Sequence, residues 1–180
     1  MEEMTALQEL LRTRRPVAWD QLPDIPLYMD QVLSYMERQT IRADESDTLT
    51  SAMVNNYTKS GLVPRAEGKK YNREHLAYLT AICALKQVMS ARDMALLIEK
   101  GTADGEDVED MYHRFCASMD RSLNHAADEL EPYLEGERLA DSAIHFALLS
   151  YAASVASRRC VAILRDREGQ GEKVEKKRKK

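Results

Sequence analysis

The segment Thr50-Ser51-Ala52-Met53-Val54-Asn55-Asn56-Tyr57-Thr58-Lys59-Ser60-Gly61-Leu62-Val63-Pro64, continued by Arg65-Ala66-Glu67-Gly68-Lys69-Lys70-Tyr71-Asn72, decides how this chain is read. The Thr50 hydroxyl can accept an unpaired amide at the start of a helix, which predicts a short helix over Ser51–Ser60. Gly61 stands where a helix ends on a left-handed residue. Pro64 and Gly68 then mark a basic, hairpin-like excursion. Asn72 caps a longer helix reaching about Met89, because Leu76, Leu79, Ile82, Cys83 and Leu85 recur at helical spacing. Ser90-Ala91-Arg92-Asp93 starts a further short helix ending at Lys100-Gly101, with Asp in place of the Glu of a capping box.

Outward from this segment the chain is all-α, with at most one tiny hairpin. Met4, Leu7, Leu10 and Leu11 form a short amphipathic helix that ends before Pro16. Trp19 to Pro26 cannot be regular helix, since Pro23 and Pro26 restrict themselves and the residues before them. A helix is expected from about Pro26 to Thr40, with Tyr28, Val32, Tyr35 and Met36 on one face. Ala43 to Asp47 is a polar connector. Ala103 to Glu109 is an acidic joint, after which Val108, Met111, Phe115, Met119, Leu123, Ala126 and Leu130 predict one amphipathic helix ending at Pro132. Gly136 opens a last helix to about Arg165, along which Ala140, Ala143, Ala147, Ser150, Ser154 and Ser157 trace a stripe of small side chains. From Arg167 onward a disordered basic tail is expected. The organisation is then an N-terminal helical arm (1–18), a head (19–101), a C-terminal two-helix module (102–166) and a tail (167–180).

Composition fits an ordinary folded chain, with 44% apolar and 31% charged residues. The most apolar stretch, Ile144 to Leu164, contains His145, Arg158 and Arg159, which argues against a membrane span. Met1-Glu2-Glu3 lacks the order of a secretory signal, and Cys83, Cys116 and Cys160 form no CxxC pair, so reduced, mostly buried thiols and a cytoplasmic location are expected. The net charge is −4. Thr50 to Arg92, however, holds seven Lys or Arg against Glu67 and Glu74, an island of +5 between acidic flanks. Such an island is what a phosphate-facing surface requires.

The order helix, basic loop, capped long helix, capped short helix, with Tyr57-x-x-x-Gly61-Leu62-Val63-Pro64 at its centre, resembles the mercury-resistance regulator (MerR) family over roughly Leu49 to Gly101. The span Trp19 to Arg165 also resembles an uncharacterised bacterial domain-of-unknown-function family. The first resemblance implies a winged helix-turn-helix head in a DNA-binding transcription regulator. The Ser51–Ser60 helix would enter the major groove, presenting Ser51, Ala52, Asn55, Asn56 and Lys59. Asn55 and Asn56 suit bidentate pairing with adenine. A wing over 64–71 would lie on phosphates, gripped by Arg65, Lys69, Lys70 and Arg73 together with Lys59. Where that family has a Tyr-Arg pair in the wing and Arg-Tyr-Tyr in the recognition helix, this chain has Lys69-Lys70 and Asn55-Asn56-Tyr57.

Tyr57, Leu62, Tyr71, Leu76 and Leu79 are assigned to the core. Duplex DNA and a homodimer through the C-terminal helices are the expected partners, because two heads on a palindrome double the contact of one short helix. The alternative is a protein–protein interaction module that keeps the fold without DNA contact, favoured by the acidic majority of the chain and the missing family arginine; acidic groups from Asp44 to Asp47 lying over the face of Asn55, Lys59 and Lys69 would decide for it. A third reading is a small-molecule sensor, with the pocket for an unidentified effector between the two C-terminal helices. His113 with Cys116, Asp141 with His145, and His125 near Asp128 and Glu129 are too sparse for a transition-metal site, which needs three or four convergent ligands. No metal, no cofactor and no enzymatic activity are expected, for the chain has no glycine-rich phosphate loop and no serine elbow.

Overall fold

The computed structural model describes residues 2–39, 41, 48–102, 107–135 and 138–178, with side chains to residue 167. Among these residues the chain is all-helical: α1 (Glu2–Thr13), α2 (Met29–Met36), α3 (Ser51–Lys59), α4 (Arg73–Leu85), α5 (Ala91–Gly101), α6 (Val108–Glu129) and α7 (Leu139–Arg178), with short 3-10 turns at Trp19–Gln21 and Glu131–Tyr133. The polar connector expected at Ala43–Asp47, and most of the acidic joint after Ala103, lie outside the described residues, as does Gly136. Strand pairing among the described residues is limited to two isolated antiparallel bridges, Leu27 with Tyr71 and Glu67 with Lys70.

The centre of the first unit, residues 1–134, is α4. Every residue from His75 to Cys83 is buried, including Leu76, Ala77, Leu79 and Ile82. Val32 and Met36 of α2, Val54 of α3, Met94 of α5, and Met111 and Tyr112 of α6 belong to the same core. Leu62, Tyr71, Leu76 and Leu79 are buried as their spacing predicts, and Tyr57 is half-buried against the same cluster. Tyr28 differs from expectation. It precedes α2 instead of joining its apolar face, because the backbone there is extended and the Tyr28 N–H donates to Gln31 Oε1 at 2.9 Å.

A C-terminal two-helix module is not what forms. α6 packs on α1 and α4 within the first unit, and the division falls at Leu134/Glu135, well beyond the boundary expected after 101. The reason lies in α6's buried face. Tyr112 is fully buried and its hydroxyl donates to the Val17 carbonyl at 2.8 Å, tying α6 to the segment before α2. The N-terminal arm is equally committed: Gln8 Nε2 donates to Ala127 O at 2.9 Å, Arg12 pairs with Asp128 at 2.9 Å and Arg15 with Asp120 at 2.6 Å.

The helix described in the second unit, residues 135–180, is α7. Its backbone is helical through Arg178, where the Gly- and Lys-rich composition predicts disorder from Arg167. Although His145, Arg158 and Arg159 argue against a membrane span, Leu139–Arg167 is long and apolar enough to cross one by length and composition. The thiols also diverge: Cys83 is buried and Cys116 half-buried, but Cys160 on α7 is exposed, and all three are free.

The end of α3 is a complete Schellman motif. Gly61 takes φ +77°, its N–H donates to Thr58 O at 3.2 Å, and the Leu62 N–H donates to Tyr57 O at 2.9 Å, with Leu62 buried beneath. No heavy atom lies within 4 Å of where a Gly61 Cβ would stand, so only the left-handed backbone opposes a larger residue. Gly61→Ala is therefore expected to lower unfolding free energy by about 1–2 kcal/mol. Urea denaturation of the two proteins measures it.

Burial pushes the Cys83 thiol up to about 11 from 9.0, against a smaller opposing pull from Lys86. The raised value means the folded state keeps a proton that the unfolded chain releases. The associated stability is complete below pH 9 and is lost as pH climbs from 9 toward 11, by about 2 kcal/mol. Cys83→Ala is expected to flatten the fall in stability across that window, measured by denaturation in reductant. The buried tyrosines contribute only above their ordinary value of 10.0, and burial raises Tyr112 furthest.

Candidate nucleic-acid interface

α3 divides cleanly into two faces. Thr50 caps it, its hydroxyl accepting from the Met53 N–H at 3.3 Å. Val54 is fully buried, and Met53 and Tyr57 pack beside it. Burial, with the nearby Cys83 adding to it, raises the Tyr57 hydroxyl, as expected for a phenol turned inward. Ser51, Ala52, Asn55, Asn56 and Lys59 are all exposed. At about 100° per residue they share one arc of about 140°. The two amides expected to read bases are thus open to solvent on one side of one helix.

After the Gly61 turn, Leu62 and Val63 are buried and the chain runs out to a two-residue hairpin. Glu67 N–H donates to Lys70 O at 3.2 Å and Lys70 N–H donates to Glu67 O at 2.9 Å. The two central residues, Gly68 at φ +54° and Lys69 at φ +66°, both take left-handed backbone, the signature of a type I′ turn. Glycine does this freely. Lys69 does so with strain, and among the described residues it is the one non-glycine with positive φ. The hairpin is anchored below its tip by Tyr71, whose N–H and C=O exchange 2.8 Å hydrogen bonds with Leu27.

A buried histidine locks the hairpin's base to α4. The Asn72 N–H donates to His75 Nδ1 at 3.1 Å while the His75 N–H donates to Asn72 Oδ1 at 3.2 Å, a reciprocal cap. His75 Nε2 lies 3.4 Å from the Arg65 carbonyl oxygen. The imidazole also stands edge-on to Tyr71, 5.4 Å between centroids.

The cations divide into three groups. Lys69 projects from the hairpin tip. Lys59 and Arg65 line one cleft of about 670 Å³ with Ser60, Tyr78 and Glu99, so a carboxylate shares their surroundings. Lys70 and Arg73 are held by aromatic rings: Lys70 Nζ lies 5.2 Å from the Tyr28 centroid, and Arg73 Cζ lies 5.8 Å from that of Trp19. Arg73 is half-buried, and its Nε is buried without a hydrogen-bond partner among the described residues. Of the nine expected contact residues it is the one drawn off the open surface.

Tyr28, Trp19 and His75 are the participants that sequence reasoning did not single out. The ring pairings join residues far apart in the chain, so periodicity carries no sign of them. His75 had a local signal, three positions after its Asn72 cap. The acidic groups Asp44–Asp47, which would cover the face in the rival reading, lie outside the described residues. Among the described residues no group of three or more His, Cys, Asp or Glu could hold a metal ion.

No curated protein and no solved structure matches the chain significantly. A family model described as a domain of unknown function does match, over residues 17–115. That span runs from the residue whose carbonyl receives the Tyr112 hydroxyl, through the capped helices and the hairpin, to the middle of α6, and it exceeds half of the chain. The protein belongs to the DUF1836 family.

Proposed function

We propose that the protein is a cytoplasmic DNA-binding transcription regulator whose head is a winged helix-turn-helix, with α3 as the recognition helix and 64–71 as the wing. The observation that carries this reading is the single exposed arc of α3, which holds both Asn55 and Asn56 with Lys59 between them, followed in the chain by a hairpin that presents Lys69 at a strained tip. A nine-residue helix with one polar face fits a major groove, and a type I′ hairpin is a stiff support for a phosphate contact. The Leu27–Tyr71 bridge adds the short pairing that would brace a wing against the body. Lys59, Arg65, Lys69 and Lys70 supply the phosphate contacts, Lys70 after leaving or sharing the Tyr28 ring. Two heads in a homodimer would supply the contact that one short helix lacks.

A second reading, a protein–protein interaction module on the same fold, draws on two observations. Arg73 is occupied by Trp19, and Glu99 lines the cleft of Lys59 and Arg65.

Fluorescence anisotropy with random duplexes separates the two. The regulator reading expects binding at about 50 mM salt, and a linear fall of log affinity with log salt. Lys69→Ala with Lys70→Ala should reduce that slope by up to about one unit for each phosphate that is no longer neutralised. Absence of binding at low salt overturns the regulator reading in favour of the interaction module.

Lys69→Gly gives a sharper result. Glycine relieves the left-handed strain, so unfolding free energy should rise by about 1 kcal/mol while DNA affinity falls with removal of the charge. A variant that gains stability and keeps full affinity would remove Lys69 from the interface.

A further inference from the structure

α6 belongs to the first unit, and among the described residues α7 carries a strip of exposed apolar side chains. Ile144, Leu148, Tyr151 and Val155 are 59%, 63%, 69% and 45% exposed. They follow one another at steps of four, three and four residues, the spacing of a coiled-coil seam, on one strip of the helix. Beside that strip run Ala140, Ala143, Ala147, Ser150 and Ser154, small enough to let a second helix approach closely. The seam positions immediately before and after the four apolar residues are Asp141 and Arg158, both exposed and of opposite charge.

We infer that α7 pairs with α7 of a second copy of this chain, antiparallel, about a two-fold axis between Leu148 and Tyr151. In that register Ile144 faces the partner copy's Val155 and Leu148 faces its Tyr151. One layer further out, at each end, Asp141 faces the other copy's Arg158. A two-fold interface requires such self-complementarity, residue i meeting j as j meets i. A parallel pair would instead set Asp141 against Asp141 and Arg158 against Arg158. Asp141 already accepts from Arg138, the residue just before α7, at 2.5 Å, and a carboxylate has lone pairs for a second guanidinium. Lipid is a poorer occupant. Asp141 and Arg158 lie about 26 Å apart along the helix, so both would fall inside a hydrocarbon core about 30 Å thick.

The inference stands apart from DNA binding, and its test uses the full chain with no DNA present. Sedimentation velocity across the micromolar range should show a reversible dimer. Leu148→Glu should yield monomer with unchanged helical circular dichroism, since the side chain it replaces is exposed. Arg158→Asp should weaken the dimer roughly tenfold or more, through like charges in both end layers. Asp141→Arg combined with Arg158→Asp should restore wild-type affinity; loss in the single variant with recovery in the double occurs only in the antiparallel register, since a parallel pair keeps like charges facing in all three proteins. A monomeric wild type, a dimer indifferent to Leu148→Glu, or a double reversal without rescue would each overturn the inference. So would flotation of the wild type with phosphatidylcholine vesicles that Leu148→Glu abolishes, which would assign the seam to lipid.

Discussion

A helix buried on every side has to be enclosed, and α4 is that constraint in this protein. From His75 to Cys83 it offers no face to water, so α2, α5, α6 and the segment ahead of α4 must each cover part of it. Leaving any of those faces open would expose leucine or isoleucine side chains worth about 1.5–3 kcal/mol each when buried. The demand explains why α6, which its spacing alone would allow to stand as an appendage, belongs to the first unit. It also explains why the residues before α4 have so little freedom: Leu62, Val63 and Tyr71 are buried in the same core, and only the stretch between them can rise from the surface.

That enclosure shapes the candidate interface. The hairpin is pinned at one root by the Gly61 turn and at the other by Tyr71 and the Asn72–His75 cap, and His75 reaches back to the Arg65 carbonyl. A loop held at both roots and closed by a type I′ turn presents its tip reproducibly. Positioning a cation in this way lowers the ordering cost of a phosphate contact. Strain at Lys69 is tolerated because both flanking hydrogen bonds fix the turn.

The two aromatic–cation pairs modify the charge that reaches solvent. Seven basic residues between Thr50 and Arg92 make a local island in the sequence. In the folded chain one of them, Arg73, sits over Trp19, and Lys70 sits over Tyr28. The surface a polyanion would meet is therefore less basic than the composition of the segment, with Lys59, Arg65 and Lys69 as its open members.

By itself the sequence determined the elements whose causes are local: the Thr50, Asn72 and Ser90 caps, the glycine stop at Gly61, the helical spacing of Leu76, Leu79 and Ile82, and the outward face of α3. Each depends on residues within a turn or two of one another, so spacing alone exposes it. Only the tertiary structure decided where α6 goes, how Arg73 and Lys70 are occupied, that Tyr28 stands before α2, and that the last helix runs past Arg167. Those outcomes rest on contacts between residues distant in the chain, such as Tyr112 with Val17 and Arg73 with Trp19, and no periodicity along the sequence records which surfaces will meet.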